Sequence, residues 1–490
     1  MRNKLRLTMP LLLGLSLLAN TVYAEDAQTW RDKGEAALQA AKKIRPNTKP
    51  AKNIILFLGD GMGISTITAS RIFAGQQQGL DGEGYQLAFE QLPYSALSKT
   101  YSANQQTPDS APTMSAIMTG VKTNDGLLAV NELIKRNEAS NQVIQAHATT
   151  TLLELAEQHG KATGVVTTTR VTHATPAATY AHISNRDWEN DSELPQGSDV
   201  PDIARQLLET KVGDGVDVVL GGGREDFMAN TQADPEYPEL YGKRKDGRNL
   251  IADYQAKFGA QYVWNKTQFD AIDPKRTHKL LGLFEPSHVH YEHDRAKDKA
   301  GEPSLAEMTA KAIQVLQQNP KGYFLMVEGG RIDHASHEGN AYRTLSETTA
   351  FADAVKQALS LVSLDDTLVI VTADHSHTLT IAGYPKRGNP ILGKVVSPGQ
   401  DSPVLAKDGL PYTTLSFANG IPYRPVARAD VSNVDTQDPD YHQVNLVPTG
   451  AETHAGEDVA IFAGGPDAYL LHGVQEESYI FYVMKDAFRF

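Results

Sequence analysis

The run Asn53-Ile54-Ile55-Leu56-Phe57-Leu58-Gly59-Asp60-Gly61-Met62-Gly63 decides the fold. Large apolar residues without polar alternation describe a strand buried on both faces, as in a parallel sheet between helix layers. The glycine-rich turn allows a sharp reversal, and the segment from about Ile64 to Ala74 reads as a helix. Strand, turn and helix make one α/β unit. Asp60 stands at the C-terminal end of its strand, where open α/β sheets build their sites.

Working outward, the same grammar recurs. Apolar strands are predicted at 164–168, 216–220, 323–327 and 367–371, and helices at 149–159, 202–208, 304–318 and 345–362. Ser304 with Glu307 makes a capping box. This alternation predicts an α/β fold with a large, mostly parallel central sheet and helices on both faces. No internal repeat or linker divides the chain, so residues 25–490 read as a single domain. Residues 25–46 form an N-terminal arm, with Trp30, Ala36, Leu38 and Ala40 in helical spacing before Arg45-Pro46-Asn47. Two stretches read as surface insertions: 231–298, rich in charges and turns, and 384–440, rich in Gly, Pro and Ser.

The 490 residues are 40% hydrophobic and 21% charged, which excludes disordered, collagenous and low-complexity classes. The absence of cysteine excludes disulfides, thiolate metal sites and cysteine nucleophiles, leaving His, Asp and Glu to bind metals. A formal charge of -13 repels nucleic-acid phosphate, so no nucleic-acid binding is expected and an anionic substrate needs local positive charge. Residues 1–24 carry Arg2, Lys4 and Arg6, an apolar core around Leu11 to Leu18, and small residues ending at Ala24, the layout of a signal peptide. Their removal takes away three basic and no acidic residues, so the formal charge moves from -13 to -16. The product is expected to be exported, periplasmic or secreted, with no membrane span.

Ligand-type residues gather at predicted strand ends: Asp60, Glu328, Asp333, His337, Asp374, His375 and His454. Asp333 and His337 are four apart, so a helical turn sets them on one face. Three histidines and four carboxylates suffice for two zinc-type sites and one oxygen-rich site suited to magnesium. An exported metal-binding protein without catalysis would need the same ligands but no nucleophile. Asp109-Ser110-Ala111-Pro112-Thr113 offers one: a serine opening a helix has free backbone N–H groups near its oxygen, although Asp and Ser also serve as plain N-caps. No Gly-x-Ser-x-Gly elbow is present, so ionisation of the serine falls to a metal. Arg186 offers a fork for phosphate oxygens.

Asp109-Ser110-Ala111, Gly59-Asp60-Gly61-Met62-Gly63, Glu328-Gly329-Gly330-Arg331-Ile332-Asp333-His334, Thr372-Ala373-Asp374-His375-Ser376-His377 and Glu452-Thr453-His454-Ala455-Gly456 together resemble the alkaline phosphatase family over nearly the whole chain. The likeness is to the animal-type branch, because His173 and His334 stand where the best-known bacterial enzymes carry Asp and Lys. The resemblance implies one zinc at Asp333, His337 and His454, and a second at Asp60, Asp374 and His375. It implies magnesium at Asp60, Thr175 and Glu328, Ser110 as nucleophile through a phosphoserine, and Arg186 as phosphate clamp. His173 and His377 would support the ligands from outside, beside Asp109, and His334 would reach phosphate through water. Pro112 and Met114 depart from the family pattern.

Asp234-Pro235-Glu236-Tyr237-Pro238 and Leu283-Phe284-Glu285-Pro286 resemble segments that hold calcium in that branch, implying a structural site of Glu236, Glu285, Glu302 and the Phe284 backbone. The resemblance also implies a homodimer, with 384–440 as a crown-like region and the arm as interface pieces. Small phosphate monoesters of broad range are the expected substrates. Phosphodiesterases of the same superfamily tend to use threonine, sulfatases need a modified residue in another motif, and mutases are usually cytosolic.

Overall fold

The computed structural model describes residues 25–421 and 428–490, so the signal-peptide reading of 1–24 lies outside the described residues, as do 422–427 within the crown-like stretch. Residues up to Arg45 are a unit of their own, in which Asp26 caps a helix over Ala27–Ala41 that buries no side chain.

From Pro46 onward the chain is organised by a ten-stranded sheet. The Asn53–Gly59 strand lies near its centre, parallel to Tyr323–Gly329 on one side and Thr367–Thr372 on the other. The full order is Gly473–Glu476, Tyr94–Lys99, Val459–Gly464, Thr367–Thr372, Asn53–Gly59, Tyr323–Gly329, Ala162–Arg170, Val218–Gly222, Leu280–Leu283 and Gln261–Val263. Val459–Gly464 runs against both its neighbours, while the other pairings are parallel.

The period-2 geometry of the central strand explains its unbroken apolar run. Ile54, Leu56 and Leu58 face one buried layer with Met114, Ile117 and Met484, whereas Ile55 and Phe57 face the other with Met308, Ile313 and Phe351. Both faces are therefore covered by helices. Phe57 meets Phe351 edge-on at 5.9 Å, a favoured aromatic geometry.

The 231–298 stretch departs from its expected role as surface decoration. It supplies Gln261–Val263 and Leu280–Leu283 to one edge of the sheet. These strands are three and four residues long and sit among charged turns, which hid them from a periodicity reading. Around the crown-like stretch, Leu379–Ile381, Leu415–Gly420 and Asn445–Pro448 form a separate three-stranded sheet. No helix among the described residues is long and apolar enough to cross a membrane.

Candidate active site

The parallel register aligns the strand ends that carry chemistry: Leu58 sits opposite both Glu328 and Thr372, so Asp60, Glu328 and Asp374 emerge at one edge. Facing them is the buried helix Ser110–Thr119. Its cap is Asp109, whose Oδ1 accepts from Ala111 N at 3.0 Å and whose Oδ2 accepts from Gly126 N at 3.1 Å. Ser110 is thereby freed from capping, and its Oγ lies 3.2 Å from His375 Nε2 and 3.4 Å from Asp60 Oδ1. Pro112 is the third residue of this helix, where an N–H has no intrahelical acceptor, so the proline removes no helix bond. Thr113, unassigned from the sequence, donates to Asp374 Oδ2 at 3.3 Å.

Asp333, His337, His377 and His454 form one ligand-type group, Asp60, Asp374 and His375 a second, and Asp60, Glu328 and His173 a third. In the first, His454 Nδ1 bonds the Pro108 carbonyl at 2.8 Å and His337 Nδ1 bonds the Glu452 carbonyl. Those contacts place a proton on each Nδ1 and turn each Nε2 inward. The two Nε2 atoms face each other at 3.0 Å and stand 3.3 and 3.2 Å from Asp333 Oδ1. A shared proton or a bound cation reconciles this approach, and two imidazoles with one carboxylate are a donor set that suits zinc. His377 is placed differently: its Nε2 is 2.7 Å from Asp333 Oδ1 and its Nδ1 bonds Glu452, so it orients a ligand from behind. Glu452, quoted in a motif but given no role, also receives Thr378 N at 2.7 Å.

In the third group Asp60 Oδ2, Glu328 Oε1, Thr175 Oγ1 and His173 Nδ1 are buried without hydrogen-bond partners. Buried polar atoms are rarely left so, and an oxygen-rich set of this kind fits a hard cation. Thr167 and Thr169 hold the other Glu328 oxygen.

Electrostatics agree. Burial, then Asp374, pushes Asp60 well above the carboxylate range, and burial lifts Glu328 to about 7. Burial also opposes charge on Asp333, but His337, His377 and His454 pull it well below its ordinary value. Burial and His454 drive His375 well below the histidine range, keeping the ring neutral and available as a ligand. Burial works against protonated His377, yet Glu452 and Asp333 bring it to about 10.

Arg186 reaches the same pocket. Its Nη2 meets His173 Nε2 at 3.1 Å and its Nη1 lies 3.9 Å from Asp109 Oδ2. His334 takes Arg331 Nη1 on its Nδ1 at 2.9 Å and packs against His173 and His288 with ring centroids 5.5 and 4.3 Å away. Burial, then Arg331, brings His334 down to about 3. His288 was not legible as part of this trio, because it arrives from the 231–298 stretch. Beside these groups opens a cleft of about 660 Å³ lined by Gln105, Thr107, Asp109, His337, Thr453 and His454.

The expected structural metal site is assembled in altered form. Glu285 and Glu302 converge, but with His290 and Asp298 as partners. The Phe284 carbonyl accepts instead from Arg224 Nη1 at 3.0 Å, and that buried guanidinium also contacts Glu236 Oε2 at 3.3 Å. Glu236 lies beside this group, where burial and the neighbouring Asp298 lift it to about 7. Burial and Glu236 lift Glu285 to about 8, and Glu302 holds His290 at about 9.

The alkaline phosphatase family profile matches residues 51–490. Human tissue-nonspecific alkaline phosphatase is 43% identical over 485 residues, covering 95% of this chain and 90% of that protein. Alkaline phosphatase of the cod Gadus morhua is 44% identical over 467 residues, covering 93% and 95%. Among solved structures, Thermus thermophilus alkaline phosphatase superposes with a TM-score of 0.66 at 26% identity, covering 92% of this chain and 94% of the other. A histidine-to-aspartate variant of the alkaline phosphatase from the Antarctic bacterium TAB5, with magnesium bound in its M3 site, superposes at 0.63 and 24% identity over 90% of this chain and 99% of that one. With the profile covering the sheet and all three ligand groups, the chain belongs to the alkaline phosphatase family and is a metal-dependent phosphomonoesterase.

Proposed function

We propose that the enzyme hydrolyses phosphate monoesters of broad range through a phosphoserine on Ser110, with two zinc ions and one magnesium. The observation that carries this reading is the pair of facing Nε2 atoms of His337 and His454 over Asp333, beside a serine placed against Asp60 and His375. Asp333, His337 and His454 would hold one zinc, Asp60, Asp374 and His375 the other, and Asp60, Glu328 and Thr175 magnesium. When bound, such ions lower the pKa of the serine hydroxyl and neutralise charge on the leaving oxygen.

The chain's own residues then do the following. Ser110 Oγ attacks phosphorus in line, the bond from phosphorus to the leaving alcohol breaks, and phosphoserine forms. Water attacks from the opposite side, the bond to Oγ breaks, and inorganic phosphate departs. Arg186, oriented by His173 and Asp109, holds non-bridging phosphate oxygens through both reactions. Asp109 fixes the helix N-terminus, so Ser110 need not reorganise as charge develops. The cleft is open to solvent and carries hydroxyl, amide and imidazole groups, which suits varied leaving alcohols.

Acid quenching during turnover of a chromogenic monoester is expected to trap phosphate on the peptide containing Asp109-Ser110. Ser110→Ala is expected to lower the rate by several orders of magnitude while metal content stays near normal. Phosphate trapped on Thr113 or Ser115 would remove Ser110 from the role. Preference for a diester or sulfate ester over the monoester would favour the rival chemistries.

The molecule is further proposed to be exported through the 1–24 signal layout and to pair as a homodimer through the arm and crown-like region. Exposed apolar side chains around the latter support this, with Tyr384 at 87% and Leu446 at 78% exposure. Sedimentation at the monomer mass would end the dimer reading.

A further inference from the structure

We propose that Glu285, His290, Asp298 and Glu302 form a fourth metal site that takes a borderline cation such as zinc through an imidazole nitrogen and carboxylates, and not calcium. The four residues offer ligand atoms within 4.8 Å of one another. Glu302 and Glu285 have side chains only 0% and 6% exposed, yet Glu302 Oε2 and Glu285 Oε1 have no hydrogen-bond partner, and neither has His290 Nδ1 or Asp298 Oδ2. Unpartnered acceptors buried this deeply and aimed into one space point to a ligand.

Geometry identifies what kind. His290 Nδ1 stands 3.5 Å from the unpartnered Glu285 Oε1 and 3.5 Å from Glu302 Oε1, which accepts the His290 backbone N–H at 2.9 Å and leaves Oε2 free. A charge-assisted hydrogen bond would close to about 2.7–2.9 Å. His375 keeps a similar gap, 3.3 and 3.4 Å to Asp60 and Asp374, at the centre where zinc is proposed. Equal spacing to two carboxylates, too long for charge-assisted hydrogen bonds, leaves space for an ion between them and repeats the spacing of the zinc-type group.

Calcium takes six to eight oxygen ligands and has little affinity for imidazole, whereas zinc takes imidazole and carboxylate in fours. The Phe284 carbonyl and Glu236, which a calcium site in this segment would use, both contact the Arg224 guanidinium, so a fixed positive charge stands where the dication would bind. The bare alternative is a protonated His290 acting as counter-ion to the carboxylates. A metal would displace that proton. The site would clip the loop after Leu280–Leu283, which also carries His288, to the start of the helix Leu305–Leu316.

The test uses full-length protein stripped by chelation, reloaded with magnesium plus either zinc or calcium, and freed of excess metal by gel filtration. Elemental analysis is expected to find about one zinc per chain more in the wild type than in His290→Gln, with calcium failing to replace that increment. The unfolding midpoint with zinc is expected to fall by several degrees in the variant. Equal zinc in both proteins, or stoichiometric calcium retained by the wild type, would overturn the proposal. Anomalous diffraction at the zinc edge on the wild type gives a second readout in case the variant does not fold: a peak between Glu285 and Glu302 is expected, and its absence leaves the imidazolium counter-ion reading. Neither readout depends on turnover, so the phosphoserine mechanism stands or falls separately.

Discussion

A single side chain, His173, sets the charge beside the third ligand group. Its Nε2 is engaged by Arg186 at 3.1 Å and its Nδ1 turns toward Asp60 and Glu328. Burial, then Arg186 and Arg170, drives it well below the histidine range, so it contributes no charge at neutral pH. Magnesium is small and strongly hydrated and is retained by negative charge near its waters, whereas a neutral imidazole favours zinc. The wild type is therefore expected to lose magnesium easily and to accept zinc there in excess. His173→Asp is expected to tighten magnesium by about 10–100-fold, the usual range for partners that act from outside the ligand shell. Magnesium titration of chelated wild type and variant checks this by reactivation. Superimposable curves would show that residue 173 does not tune the site.

Among the elements, the strand–turn–helix unit around residue 60 does the most positioning. Gly61 has φ +67°, and a Cβ there would lie 2.3 Å from His377 Cδ2 and 2.4 Å from Nε2. His377 cannot yield, because Asp333 and Glu452 grip both its nitrogens. Gly61→Ala is therefore expected to weaken metal retention at Asp333, His337 and His454 and to cut turnover by at least tenfold, with backbone strain of about 1–3 kcal/mol. Bound zinc and turnover after gel filtration are the measurements; wild-type values for both would show that the ring moves freely. Asn53–Gly59, Tyr323–Gly329 and Thr367–Thr372 were legible in the sequence because burial on both faces leaves an unbroken apolar run. Tyr94–Lys99 was not, since its serines and lysine belong to a half-buried strand. The two histidines His288 and His290 were hidden for another reason. Their roles come from chain segments meeting in space, and a charged loop gives no periodicity to show where it lands. His454 was legible by its place before an apolar strand, but its register opposite His377 was not, because that is a tertiary pairing.

For the whole molecule, the loop that carries His288 and His290 is tied to the core through a buried carboxyl. Glu347, on the helix Ala341–Leu361, receives the Glu292 backbone N–H. Burial outweighs that bond and the pull of Arg331, and lifts Glu347 to about 8. In the unfolded chain a glutamate titrates near 4.3. Between these values the folded protein keeps a proton that the unfolded chain has released, so this group's contribution to stability is full at low pH and is lost as pH rises through about 8. The slope for one proton is about 1.4 kcal/mol per pH unit, and it flattens once the folded form also ionises. Glu347→Gln keeps the acceptor and removes the titration. The variant's unfolding midpoint is expected to fall less than that of the wild type between pH 5 and 9, with the largest advantage at the alkaline end, when metal-loaded proteins are compared by calorimetry. Parallel midpoint-against-pH curves would show that Glu347 is ionised in the native state throughout, and that the loop is anchored by charge and not by a neutral acid.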